Sequence, residues 1–235
     1  MMNLLTFREF YNGLSSSIKS TVFITIVLVI VMFIVNRKLK NYKYTDTPKG
    51  IIIALEWLIG GVNEMCKSTI GRPYRKVAPY ITTLAIFLFV SNISGLFGLT
   101  PPTASISVTL TMGIITFGII QFTGIKSGGI GGYLKSFLDP NPIFLPINLI
   151  GEIATPFSLG LRLFGNILSG TVIMAMIYSV TGYGAIAAAP LLHCYFDIFS
   201  GFIQTLVFCT LTTMFISGKL PDEDVDYFET NEEIL

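Results

Sequence analysis

VAPYITTLAIFLFVSNISGLFGLTPPTASISVTLTMGIITFGIIQFTGI, residues 77–125, contains no charged side chain and is bracketed by Lys76 and Lys126. A helix needs about 20 apolar residues to cross a hydrocarbon core, so this stretch is long enough for two crossings. Pro101-Pro102, near its middle, supplies an uncharged turn, because proline has no amide hydrogen with which to continue a helix. Arg72, Arg75 and Lys76 precede the stretch, and Lys126 and Lys135 follow it. Positive charge beside a span marks its cytoplasmic end. The reading is a helical hairpin, about 77–97 and 104–123, that enters and leaves on the cytoplasmic side.

The rest of the chain extends this pattern in both directions. Hydrophobic residues make up 52% of the 235 positions and charged ones 12%, about half the charged share of a soluble domain. An apolar run at about 20–36 is closed by Arg37, Lys38, Lys40 and Lys43, which puts the N-terminus outside. The start Met-Met-Asn-Leu-Leu has no basic region and no small-residue cleavage site follows, so the first span is expected to stay in the protein. Between Lys49 and Ile70, Glu56, Gly60, Asn63, Glu64 and Lys67 recur at helical spacing, with Ile52, Leu55, Ile59, Val62 and Cys66 largely on the other side. That pattern predicts an amphipathic helix lying in the membrane interface, where Trp57 suits the boundary.

After the hairpin, the Gly-rich stretch 127–132 and Pro140, Pro142 and Pro146 predict a cytoplasmic connection. Two long apolar segments follow, 147–180 and 185–216, each interrupted by one proline, Pro156 and Pro190. As continuous helices they would reach roughly 45 to 50 Å against a core of about 30 Å, so they must tilt or break. Asp222, Glu223, Asp224, Asp226, Glu229, Glu232 and Glu233 then form an acidic, solvated cytoplasmic tail. The expected fold is an all-α integral membrane protein with one membrane domain. Its parts are an N-terminal span and basic loop (1–48), an interfacial helix and basic loop (49–76), the hairpin (77–125), a cytoplasmic loop (126–146), a long tilted helix pair (147–218) and the tail (219–235).

A net charge of +1 points to neither nucleic acid nor an acidic ligand. Cys66, Cys194 and Cys209 lack metal-ligand spacing and read as small apolar packing residues. Of the ionisable side chains only Glu152, Arg162 and Asp197 lie well inside the expected spans, with His193 near one end. Intramembrane charge is costly and marks an ion or substrate path by default. Arg162 carries that argument furthest, because guanidinium cannot deprotonate to escape the cost of burial. Asn166 follows it by four residues, and Thr155 and Ser169 lie seven away on either side, a polar stripe along one helix. His193, Asp197, Ser200, Gly201 and Gln204 form a second stripe.

For some of these residues two readings stand. His193 is either a satisfied boundary histidine or a channel-entrance group; with Asp197 it lacks a third ligand for a metal, and no metal or cofactor is expected. Glu152 either lines an aqueous path or sits near a helix start, where the dipole favours an anion. A secondary transporter would show internal repeats, and an intramembrane hydrolase would need a motif linking Ser158 to His193; neither is found.

The run Pro156-Phe157-Ser158-Leu159-Gly160-Leu161-Arg162-Leu163-Phe164-Gly165-Asn166 resembles the signature of subunit a of F-type ATP synthases. Ser91-Asn92, Gly95-Leu96, Pro102-Thr103 and Gln204 add to the likeness, and the order of segments is similar over nearly the whole chain. The resemblance implies the ion-translocating stator of a rotary ATP synthase, with two long helices packed against the rotor. Arg162 would then face the ring of subunit c, and Asn166, Gln204, Asp197, His193, Glu152, Thr171 and Ser169 would be channel-lining residues. It also implies partners: the c ring, the subunit b peripheral stalk, other synthase subunits and membrane lipid. ATP chemistry would belong to other subunits, since no phosphate-binding GxxxxGK[ST] loop occurs here. The overall pattern suggests a bacterial plasma membrane, with the mitochondrial inner membrane as the alternative, and either H⁺ or Na⁺ as coupling ion. One departure matters: Thr171 stands nine residues after the arginine, where many relatives have Glu or His, and the carboxylate is found instead at Asp197, seven residues before Gln204.

Overall fold

A computed structural model describes residues 13, 15–40, 50–71, 74–136, 141–181 and 185–220. The regular elements among them are helical: α1 Ser16–Lys40, α2 Ile51–Ile70, α3 Tyr74–Ile93, α4 Ile106–Ser136, α5 Leu145–Thr181, α6 Ala185–His193 and α7 Ser200–Ser217, with a π turn over Cys194–Phe199. Short 3₁₀ turns fill Ser94–Phe97, Pro102–Ala104 and Pro142–Phe144. Among the described residues, five helical segments are long and apolar enough to cross a membrane: Ser16–Lys38, Tyr74–Phe97, Ile106–Ser127, Leu145–Thr181 and Ala189–Ser217. The protein is an all-α integral membrane protein. Lys43, Lys49, Arg72 and the acidic residues Asp222, Glu223, Asp224, Asp226, Glu229, Glu232 and Glu233 lie outside the described residues.

The long segments meet the length problem in different ways. The helix α5 is continuous over 37 residues, about 55 Å, and carries Pro156 inside it. The last segment instead breaks its α-helical ladder at Cys194–Phe199, a π interruption of the sort that often accompanies a functional position. In the Gly-rich stretch expected as a connection, the helix breaks at Gly129 and resumes to Ser136, so α4 is two helices meeting across a kink. Only Gly129 leaves helical geometry there, at φ 67° and ψ 167°. Glycine permits a loop without requiring one, and here one residue absorbs the bend.

The chain forms two compact units, 1–46 with 87–109 and 163–204, and 47–86 with 110–162 and 205–235. The second has an apolar core of Val62, Cys66 and Ile70 from α2, Val77, Ala78, Ile81 and Ala85 from α3, Ile120 from α4, and Cys209, Ile216 and Leu220. Val62, Cys66 and Ile70 recur every four residues, so α2 presents one stripe to this core, while Trp57 is 74% exposed. Ile59, expected among the inward residues, is exposed. Between α4 and α5 the packing depends on small residues: a Cβ at Gly113 would stand 2.5 Å from the Pro156 carbonyl oxygen and 3.2 Å from the Gly160 nitrogen. Close backbone approach of this kind is how apolar helices associate where lipid supplies no hydrophobic drive.

In the first unit, the start of α1 packs beside Pro102–Ala104, and Thr100 Oγ1 donates to Ser16 Oγ at 3.2 Å. Buried Asn92 ties this unit together. It accepts from Thr103 Oγ1 at 3.0 Å and donates through Nδ2 to the Gly201 carbonyl at 3.3 Å. A Cβ on Gly201 would lie 2.8 Å from that of Asn92, so glycine is what lets α7 come this close.

Candidate functional site

In the second unit two charges stand on α5 in contrasting surroundings. Arg162 is exposed and has no hydrogen bond or ion pair among the described residues. Glu152 is held at both carboxylate oxygens: Oε1 accepts from Gln121 Nε2 of α4, and Oε2 accepts from the Lys219 ammonium at 2.8 Å. The Gln121 amide is oriented in turn by the Tyr133 hydroxyl, which donates to its Oε1 at 2.6 Å. Lys219 Nζ also lies 5.6 Å from the centre of the Tyr133 ring. Burial, and then the nearby Glu152 carboxylate, push the Tyr133 hydroxyl above its ordinary pKa. Antiparallel packing sets this arrangement up. Gly113 of α4 meets Pro156 of α5, and two turns further along α4 Gln121 meets Glu152, one turn back along α5.

In the first unit the π turn carries the other carboxylate. His193 Nδ1 and Asp197 Oδ2 are 2.7 Å apart, with the His side chain 37% and the Asp 13% exposed. Asp197 Oδ2 also lies 3.8 Å from where a Cβ of Gly95 would be, so the glycine of the α3 terminus makes room for it. The Tyr178 ring is 6.4 Å from that of His193. Ser200 Oγ donates to Asn166 Oδ1 at 3.1 Å, so Ser200 engages the oxygen end of that amide and not its nitrogen. Gln204 is buried, and its Nε2 has no partner among the described residues, an orphaned donor of the kind that needs an outside acceptor.

Two expected lining residues are not drawn into these clusters. Ser169 and Thr171 return their hydroxyls to their own helix, at Asn166 O (3.0 Å) and Leu168 O (2.9 Å), and both are exposed. The stripe read at α-helical spacing on the last segment is divided: the π turn shifts register between His193 and Ser200, since each of its turns holds more residues than an α turn. Among the described residues no three His, Cys, Asp or Glu side chains gather to hold a metal.

The ATP synthase A chain family matches residues 19–217 of this sequence. The chain belongs to that family. It is 32% identical over 209 residues to "ATP synthase subunit a 2" of Acaryochloris marina, covering 88% of this chain and 86% of that one. It is 35% identical over 216 residues to subunit a of Streptococcus agalactiae serotype III, covering 86% and 88%. It is 33% identical over 185 residues to "ATP synthase subunit a, sodium ion specific" of Propionigenium modestum, covering 72% and 63%. Members of this family are membrane subunits of the ATP synthase complex, acting in ion transport and ATP synthesis as part of that assembly and not as catalysts alone. The relatives are bacterial, and the chain is a multi-pass membrane protein of that bacterial kind.

Sequence reasoning overlooked the partners of Glu152. Gln121 is a polar residue in an otherwise uncharged span, and Lys219 is a lone cation ahead of an acidic run. Each was a usable signal, but pairing them required knowing which helix ends meet.

Proposed function

We propose that this chain is the ion-translocating stator of a rotary F-type ATP synthase, with two aqueous half-channels and with Arg162 facing the ring of subunit c. The supporting observation is the state of Arg162: a permanent cation, exposed on a membrane-spanning helix, with no anion beside it among the described residues. A charge there is expensive unless it is paired or wet, so its counter-charge comes from a neighbouring chain. A rotor carboxylate supplies that charge. Such a carboxylate can face lipid only when protonated or ion-loaded, and a fixed guanidinium favours its ionised form as it passes the stator. The same positive charge repels cations that would otherwise run straight from one half-channel to the other. Rotation is then the permitted route, driven by about 2.3 kcal/mol per unit charge per 100 mV.

One path opens outward, lined by Asp197 and His193, with Asn166, Ser169, Thr171 and Gln204 along the way to the rotor. The other opens to the cytoplasm at Glu152. Basic residues at the end of α1, namely Arg37, Lys38 and Lys40, support an outside N-terminus and a cytoplasmic C-terminus. The subunit b stalk and the c ring are the neighbouring chains, and H⁺ or Na⁺ is the ion. The test is Arg162→Ala in the assembled complex: ATP-driven pumping into inverted vesicles is abolished while complex content is unchanged. ATP synthesis at the normal rate in that variant would remove the arginine from the mechanism.

A further inference from the structure

The seat of Lys219 is made as specifically as its charge pairing. Its stem lies against α4 where Gly124 leaves space: a Cβ there would stand 3.0 Å from Lys219 Cβ and 3.6 Å from the Tyr133 ring. Its head meets Glu152 Oε2 and sits over the Tyr133 ring. Around the ammonium stand the Glu152 carboxylate and the Tyr133 ring face, while Gln121 turns its nitrogen to the other carboxylate oxygen and its own oxygen to the Tyr133 hydroxyl. A carboxylate oxygen suits a hard cation, and an aromatic face attracts one as well.

Lys219 lies beyond the end of α7, on short turns in which Gly218 N donates to Met214 O and Lys219 N to Ile216 O, both at 3.0 Å. Both members of the ion pair are 18% exposed, so water reaches the pair without dissolving it.

We propose that the Lys219 ammonium is a tethered counter-ion in a cation site formed by the Glu152 carboxylate and the Tyr133 ring face, with Gln121 orienting the carboxylate, and that a transported monovalent cation displaces it to reach Glu152. The proposal rests on the reading of Glu152 as lining the cytoplasmic path. Lysine then acts as an internal competitor that sets how readily the site loads. A purely structural tie would affect assembly, not the dependence of rate on ion concentration.

Inverted vesicles holding the whole complex turn the cytoplasmic face to the bath. The initial rate of ATP-driven uptake is measured against bath concentration of the ion, as bath pH with a ΔpH dye or as ²²Na⁺. Lys219→Gln is expected to lower the half-saturating concentration about twofold to fivefold, the size of one partly exposed charge pair, with little change in maximal rate. Lys219→Arg, which binds carboxylate through a planar fork, is expected to raise it. Glu152→Gln lowers the maximal rate, and in that background Lys219→Gln changes nothing further. If Glu152→Gln is slowed but neither lysine variant shifts the half-saturating concentration, the counter-ion is overturned and the path reading stands. Wild-type rates and concentration dependence in Glu152→Gln overturn the path reading and this proposal with it. Should Lys219→Gln fail to assemble, Lys219→Arg decides alone, an unshifted curve being the negative result.

Discussion

Glu152 and Arg162 share one helix, α5, and lie about 15 Å apart along its axis, yet their charges meet opposite surroundings. Glu152 is bonded at both oxygens from two other parts of the chain. Arg162 is left exposed with no partner among the described residues. A charge neutralised inside its own chain contributes to holding helices together. A charge left exposed in a membrane span costs several kcal/mol unless it is paired or wet. Asp197 falls between them, paired with His193, a partner that can both give and take a proton.

The largest effect that would sharpen this contrast is at the bare charge. Arg162→Lys keeps a cation but loses the planar fork and can deprotonate when desolvated, so pumping is expected to stay below about a tenth of wild type. A Lys variant pumping normally would mean that any positive charge suffices.

Next is Gly113→Ala. The added methyl meets the Pro156 carbonyl oxygen, and overpacking of this kind costs about 1–3 kcal/mol. Prying α4 from α5 also separates Gln121 from Glu152. The expected outcome is less assembled complex at a given temperature, measured as complex yield and thermal midpoint in detergent. Unchanged stability would show that the close helix approach is not needed.

Asp197→Asn is expected to slow ATP-driven pumping severalfold without the complete loss expected at Arg162, because a wet path conducts partly around one missing group. Thr171→Glu in the same chain is expected to restore part of the rate. Wild-type pumping by Asp197→Asn would make the aspartate a structural passenger, and no recovery would mean that the two positions serve different paths.

The smallest effect concerns topology. Cys66 is fully buried, and burial pushes its thiol up to about 11, so it stays protonated at neutral pH and is expected to react slowly with maleimide from either side. Ser68 is exposed on the same helix. Ser68→Cys is expected to label from the cytoplasmic face only, and labelling by an impermeant reagent from outside would invert the orientation.

Much of the fold was legible because lipid imposes simple rules. The gap between Lys76 and Lys126 located the hairpin, and the lengths between Pro142 and the tail located the two long segments. The Gly-rich stretch marked a break, which falls at Gly129 alone, with helix resuming beyond it because glycines at 128–132 permit a turn without compelling one. The site was legible where single residues violate the apolar rule, as Arg162, Asp197 and Glu152 do. It was not legible where satisfaction depends on partners: Thr171 and Ser169 bond to their own helix, and Lys219 leaves the tail to join Glu152.

What the sequence by itself determined is that this chain crosses the membrane in apolar helices and carries a permanent charge within one of them, since hydropathy and the chemistry of guanidinium are local properties. Tertiary structure alone decided which charges are neutralised. The state of Glu152 depends on donors from outside its own helix, and those donors are brought within reach by close packing at Gly113 and Gly124, whose contacts no single segment contains.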